Sequence, residues 1–305
     1  MTLSLCEGGT MDNILTIEDF QKRFPSEEAC FEYFVHLRWP EGFHCPVCNH
    51  DAYYFLYDKQ LFQCKSCGRQ TSVTAGTVFH RLRHPLSTLL WAIYLVATNK
   101  KGISGSELQR KLGISSYKTA WLLLQKIREA MSPKGILKLK TEVEVDETYV
   151  GGHRAGKRGR GAAGKTLVAV AVESNGKTMG RIRLNTIPSA SQEDLVGFIG
   201  DQIAPGAVIR TDGLPSYGNI EGYRHESRKK SKENPDVLPR LHVVVANLKM
   251  WLRGTHNRFP DKHLQRYLNE FAFRFNRRWD VSSIFSILLF RCLTTHTVTY
   301  ADLTA

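Results

Sequence analysis

Two Cys-x-x-Cys pairs, CPVC at Cys45 and Cys48 and CKSC at Cys64 and Cys67, constrain this chain more than any other feature. Four soft thiolates in two knuckles, with a segment between them long enough for a hairpin, suit the tetrahedral site of a structural zinc ion. Asn49 and Gly68, residues that turn easily, follow the second cysteine of each pair. The spacing predicts a zinc ribbon over residues 42–72 with one structural Zn²⁺. Four unrelated buried cysteines, or a thiol-exchange pair, are the competing explanations, and two pairs at this spacing serve a metal better than exchange. His44 and His50 flank the pairs, but four thiolates already satisfy the ion. A closed site leaves no open coordination position, so the ribbon speaks for a binding module and not for catalysis. Cys6, Cys30 and Cys292 remain, and lone cysteines are most often small buried hydrophobes.

Charge narrows the partner. The chain carries 42 Lys and Arg against 29 Asp and Glu, a net charge of +13, with a pI near 9.5. That excess favours a polyanion, nucleic acid first and an anionic membrane surface second. Its 305 residues and 42% hydrophobic content allow two or three compact units. No stretch reaches the roughly 18 apolar residues of a membrane span, and Met1 to Thr10 has no basic region followed by a long apolar core. A cytoplasmic, nucleoid-associated protein in a reducing compartment is expected, with metal ligation in place of disulfides.

From Thr16 to Trp39, Phe20, Phe24, Phe31, Phe34, Val35 and Leu37 recur at helical spacing, and Pro25 and Ser26 suit the restart of a second helix. From Leu86 to Met131 helical spacing returns, broken at Gly113. Within it, Ser104 or Ser106 can cap a helix that runs through Leu112. Gly113 supplies the turn, and Ser115 or Ser116 caps the next helix. Leu108, Leu112, Ile114, Ala120, Trp121, Leu124 and Ile127 would pack, leaving Tyr117, Lys118, Gln125, Lys126 and Arg128 on an exposed face able to meet phosphates and base edges. A plain helical hairpin is the alternative.

From Glu142 onward, EVEVDETYVGG and TLVAVAVES alternate like strands. Val143 and Val145 face one way, and Glu142, Glu144 and Asp146 the other. An acidic row can be a solvated face. A second acid, Asp212, follows the apolar run AVIRT at the tip of another predicted strand and precedes the turn GLPSYG. Two aspartates at strand ends, far apart in sequence, are what a two-metal phosphoryl-transfer site needs, because hard oxygen ligands hold Mg²⁺ or Mn²⁺.

VEVDETYVGG, RTDGLPSYG, HVVVANLKMWLRGTHNRF and HLQRYLNEFAFRFNRR together resemble the catalytic domain of bacterial insertion-sequence transposases that carry an amino-terminal zinc ribbon. The resemblance implies an RNase H-like fold, two catalytic Mg²⁺ or Mn²⁺ ions, cleavage at the ends of a mobile element, and joining of the freed 3′-hydroxyl to target DNA. It also implies a third metal ligand. Many relatives have Glu there, but no acid lies between Leu238 and Asn257. Asn247, near Lys249 on a predicted helix, resembles the Asn of the subgroup whose triad reads Asp, Asp, Asn. His242, seven residues before Lys249 and on its helical face, and Glu270 in YLNEF are rivals. Lys249, Arg253, Arg274, Arg277 and Arg278 would line a basic surface near the site. The basic segments GGHRAGKRGRGAAGK and RHESRKKSK can follow a phosphate backbone without reading bases.

The expected architecture is α/β and multidomain. Residues 1–41 form N-terminal helices, 42–72 the ribbon, 84–131 a helix-turn-helix-like DNA-binding region, and 140–292 an RNase H-like mixed sheet with flanking helices. Its catalytic and metal residues would be Asp146, Asp212 and Asn247, its partners element ends and target DNA without a membrane, and its working form a homo-oligomer in the synaptic complex. The competing function is a zinc-ribbon DNA-binding regulator derived from an inactive transposase.

Overall fold

The computed structural model describes residues 16–133, 135–151, 165–176, 178–218, 220–229, 231, 236–256 and 260–304. Cys6, Asn257, most of GGHRAGKRGRGAAGK (152–164) and Lys230 and Lys232 of RHESRKKSK lie outside the described residues. The chain divides into two compact units, one of Met1–Met131 with Asp280–Ala305 and the other of Ser132–Trp279.

In the first unit, α1 (Ile17–Arg23) opens on a reciprocal cap between Thr16 and Asp19, and α2 (Glu27–Arg38) on Ser26, so the restart after Pro25 occurs where the sequence predicts it. A three-stranded antiparallel sheet follows in the order β1 (Tyr53–Leu56), β2 (Leu61–Cys64), β3 (Gln70–Ser72). Phe43 and Phe62 are buried there with Cys45 and Cys64, and Phe31, Val35 and Trp39 of α2 and the residue after it pack against them. Too small to enclose a core alone, the ribbon shares one with α2.

Next come α3 (Leu86–Thr98), α4 (Gly105–Leu112) and α5 (Tyr117–Ala130). Ser104 caps α4 by accepting from Glu107 N, and Gly113 closes it in the left-handed region at φ 63°. Leu108, Ala120, Leu124 and Ile127 are fully buried, while Leu112 and Trp121 are only partly so.

The second unit is built on a mixed sheet in the order β6-β5-β4-β7-β8, formed by β4 (Glu142–Val150), β5 (Thr166–Asn175), β6 (Thr178–Thr186), β7 (Val208–Thr211) and β8 (Arg224–Ser227). β4, β5 and β6 are antiparallel, while β7 lies parallel to β4 and β8 parallel to β7. Three antiparallel strands continued by two parallel ones make the RNase H-like sheet implied by the resemblance. Helix α6 (Gln192–Gln202) covers one face, where Leu195, Phe198 and Ile199 meet Val143, Val145, Ala169, Ala171 and Ile209. Helices α7 (Pro239–Thr255) and α8 (Leu264–Phe275) cover the other, where Leu241, Val244, Leu248, Leu252 and Leu268 meet Val168, Val170, Val172, Ile182 and Leu184. β5 is therefore buried on both faces, and its run TLVAVAV is nearly continuous in hydrophobicity.

The sequence reading carried the catalytic domain to residue 292, but the chain returns to the first unit at Asp280. Helix α9 (Ile284–Thr294) buries Phe285, Leu288, Leu289 and Cys292 beside α3, and Phe285 meets Phe20 and Tyr94 ring to ring at 6.0 and 6.3 Å. A short α10 (Tyr300–Thr304) ends the chain's described part. Among the described residues no helix is long and apolar enough to cross a membrane.

Candidate active site and metal centres

The four cysteine Sγ atoms of Cys45, Cys48, Cys64 and Cys67 lie within 4.8 Å of one another. Each pair forms the same knuckle. Asn49 N donates to Cys45 O at 2.9 Å and Gly68 N to Cys64 O at 3.0 Å. Asn49 and Gly68 both take positive φ, 57° and 69°, which explains the two turn residues after the second cysteines. Backbone N–H groups of Cys48 and Val47 hold the Cys45 thiol down to about 6. Arg69's N–H acts the same way on Cys67, yet Cys48, burial, and then Cys45 and Cys64 together outweigh it and push that thiol up to about 12. Such a cluster cannot ionise fully without a cation, which fits Zn²⁺. Cys30 and Cys292 are buried elsewhere.

In the second unit, β4 pairs with β7 through Glu142↔Val208, Val143↔Ile209 and Glu144↔Arg210. Asp146 and Asp212 each stand two residues beyond that last rung, so the register brings them side by side where the strands part. Asp146 is the middle residue of β4 and not its end. Asp212 is held by its own turn, with Oδ1 accepting from Leu214 N at 3.0 Å and its carbonyl from Thr211 Oγ1 and Ser227 Oγ.

Burial pushes the Asp146 carboxyl up to about 7. A hydrogen bond from Glu147 N opposes this, the charges of Glu147 and Asp212 add to it, and His242 offsets part. Tyr217, buried and donating to Glu147 Oε2 at 3.1 Å, is raised for the same reasons, burial first and then these acids.

The glutamate two residues before Asp146 has a different task. Glu144, 3% exposed, accepts from Leu241 N at 2.8 Å and from Arg240 Nη1 at 3.2 Å. The first turn of α7 has no local side-chain cap, and this carboxylate from the sheet meets its unpaired N–H groups and positive end instead.

That clamp brings His242 to the site. Its Nε2 lies 3.9 Å from Asp146 Oδ2, while Nδ1 is 2.6 Å from Asp236 Oδ1. A carboxylate only accepts, so Nδ1 donates its proton to Asp236, and the ring is held with Nε2 facing Asp146. Asn247 stands five residues later, about 140° round the helix, so the flank that carries His242 to Asp146 turns Asn247 away. Lys249, seven residues on, returns within about 20° of His242. Glu270 is fully buried and bonded to Arg274 Nε at 3.1 Å on α8, the helix that packs on β6.

Of the basic residues, Lys249 is half-buried with its ammonium pushed down by burial and then by Arg253 and Lys165, a concentration of positive charge on the His242 flank. Arg274, Arg277 and Arg278 do not join it. They lie at the β6 edge, where Arg274 serves Glu270, Arg277 stacks on Phe273 at 3.9 Å, and Arg278 donates to the carbonyls of Met179, Gly180 and Phe275. In the first unit Lys118 is exposed, its ammonium 4.4 Å from the Tyr300 ring centre. Gln125, Lys126 and Arg128, read as an exposed face, are buried at 0, 3 and 1%. Lys126 Nζ donates to the carbonyls of Val78 and Val298, and Arg128 Nη2 to that of Ile103. The C-terminal segment that supplies Val298 covers this side of α5.

Residues 138–276 match the family model described as ISXO2-like transposase domain, and residues 25–70 that of the transposase zinc-ribbon domain. Among solved structures, the chain is similar to the catalytic core domain of BIV integrase, at 17% identity and TM-score 0.28, over 42% of this chain and 81% of that one. It is also similar to a chain of the simian T-cell lymphotropic virus intasome in complex with PP2A regulatory subunit B56 gamma, at 15% identity and TM-score 0.29, over 54% and 67%. No curated protein matches.

Proposed function

Because the chain carries an ISXO2-like transposase domain behind a transposase zinc-ribbon domain, we propose that it cuts the ends of a mobile DNA element and joins the freed 3′-hydroxyl to target DNA. The observation that carries this reading is the shared register of Asp146 and Asp212, with His242 Nε2 at 3.9 Å from Asp146. Two half-buried carboxylates held on neighbouring strands favour a cation between them, and oxygen donors of this kind suit Mg²⁺ or Mn²⁺. Asp146, Asp212 and His242, in place of Asn247, would hold it. Such ions, held by these residues, would supply activation of the attacking hydroxyl and stabilisation of the leaving oxygen.

The protein's own residues do the positioning. Asp236 orients the His242 ring, the Leu214 N–H orients Asp212, and the Glu147 N–H orients Asp146. Lys249, Arg253 and Lys165 continue this flank as a phosphate-binding strip. The ribbon and the α4–α5 pair hold the element's ends. Two ends must be brought together, so a homo-oligomer on DNA and a nucleoid-associated location belong to the same reading.

A joining assay tests it. A labelled duplex from the DNA flanking the gene, bearing a free 3′-hydroxyl, should become covalently linked to target plasmid with Mg²⁺ or Mn²⁺. Binding without any covalent product would refute the enzymatic part.

A further inference from the structure

The turn after β7 and the segment after β8 line an open cleft of about 370 Å³ formed by Asp212, Gly213, Leu214, Pro215, Arg228 and Lys229. Its charges are separated. Arg228 Nη2 is 3.3 Å from Glu226 Oε2, and Lys229 pairs with no carboxylate among the described residues; neither cation pairs with Asp212. The acid is thus left for a cation and Lys229 for an anion, with Arg228 shared between Glu226 and the same space.

Their placement is built in. Arg228 N donates to Thr211 O at 3.0 Å, so the basic segment starts against the strand that ends at Asp212. The stem of Lys229 lies along Gly213, where an added Cβ would meet Lys229 Cγ at 3.0 Å. Gly213 does not occupy the left-handed region, so its backbone does not require glycine. What the missing side chain permits is the close approach of the lysine. Leu214 and Pro215 supply an apolar wall of the kind a sugar packs against.

We propose that Arg228 and Lys229 form a phosphate subsite that grips the DNA strand beside the phosphate reacting at Asp212. The inference rests on the strand-transfer reading above. A phosphate contact carries no sequence information but fixes register, and a strand held on one side of Asp212 has its reacting bond placed on the other. A chain of net charge +13 has DNA as its general partner, so an acidic protein segment is the lesser candidate for the same cations.

The test uses the full chain and the flanking-DNA duplex, unmodified or with a single methylphosphonate at each position in turn. Binding is measured against salt for the protein and for Lys229→Gln, Arg228→Gln with Lys229→Gln, and Lys229→Arg. The double variant should flatten the log–log salt slope by about 0.9, the contribution of the one phosphate no longer neutralised. One neutralised phosphate should weaken the unsubstituted protein and leave the double variant unchanged, and Lys229→Arg should recover that sensitivity. If the methylphosphonate profile is the same with and without the two bases, the subsite is overturned and an acidic protein segment becomes their target. Binding scores the subsite and joining scores the strand-transfer reading, so each can fail alone. Absence of both binding and joining removes both.

Discussion

Asp146 on β4 and Asp212 after β7 occupy equivalent positions in neighbouring parallel strands, each two residues past the Glu144↔Arg210 rung. Removing either charge should leave the fold and abolish covalent chemistry. Asp146→Asn and Asp212→Asn are expected to lower joining by about 100-fold or more, since each deletes a group aimed at developing charge. DNA affinity in gel-shift titrations should remain within a few-fold; a joining rate close to that of the unsubstituted protein would exclude them as the site.

His242 and Asn247 give opposite expectations. His242→Ala should suppress joining as strongly as the aspartate variants, and Asp236→Asn, which frees the Nδ1 proton, should cost about 10- to 100-fold. Asn247→Ala should retain activity within a few-fold. The same assay with Mn²⁺ checks the assignment, and a dead Asn247→Ala alongside an active His242→Ala would reverse it.

For Lys126 the effect falls on stability. Lys126→Met strips the donor from two carbonyls, Val78 and Val298, and should cost about 1–3 kcal/mol in denaturant unfolding. Its DNA affinity should not change. Lys118→Ala should do the reverse, keeping stability and flattening the salt dependence of binding by about 0.9.

Glu173 sets an acid limb. Burial pushes its carboxyl up, but hydrogen bonds from Arg181 and Lys140 N outweigh burial, and the net shift is below the ordinary 4.5. A group lowered on folding stabilises the protein fully above its unfolded value, and that share is lost as pH falls through its folded value. Glu173→Gln should therefore reduce stability at neutral pH and shrink the loss seen below about pH 4.5, as read from urea midpoints between pH 3 and 7. Parallel pH curves for the two proteins would contradict this.

Zinc removal should unfold the ribbon. Cys64→Ser is expected to bind no zinc, against one ion per chain in the unsubstituted protein measured by a colorimetric chelator. It should also lose the near-ultraviolet circular dichroism that the packed Phe43, Phe62 and Trp39 give in the zinc-bound protein.

What could be read in the sequence was what local covalent spacing dictates. The knuckles around Asn49 and Gly68, the Ser104 and Gly113 caps and the alternation of β4 depend on a few adjacent residues and were all legible. Burial that distant segments impose was not. The polar residues of α5 read as a free face because nothing local announces that residues from 280 onward return to cover them. Asn247 matches the motif position of the resemblance, and the flank it occupies follows from how Leu241, Val244, Leu248 and Leu252 seat α7 on the sheet. The seven-residue step from His242 to Lys249 is the sequence signal for the proposed alternative, His242. Nothing in the sequence pointed to Glu144 as the partner of α7 or to Asp236 as that of His242.

The Glu144 clamp has a thermodynamic corollary. It joins strand and helix two residues from Asp146 and one from His242, so the spacing between them is set when the protein folds. The entropy of ordering those groups is then part of the folding equilibrium, and an arriving DNA end meets a preorganised frame that needs little further ordering.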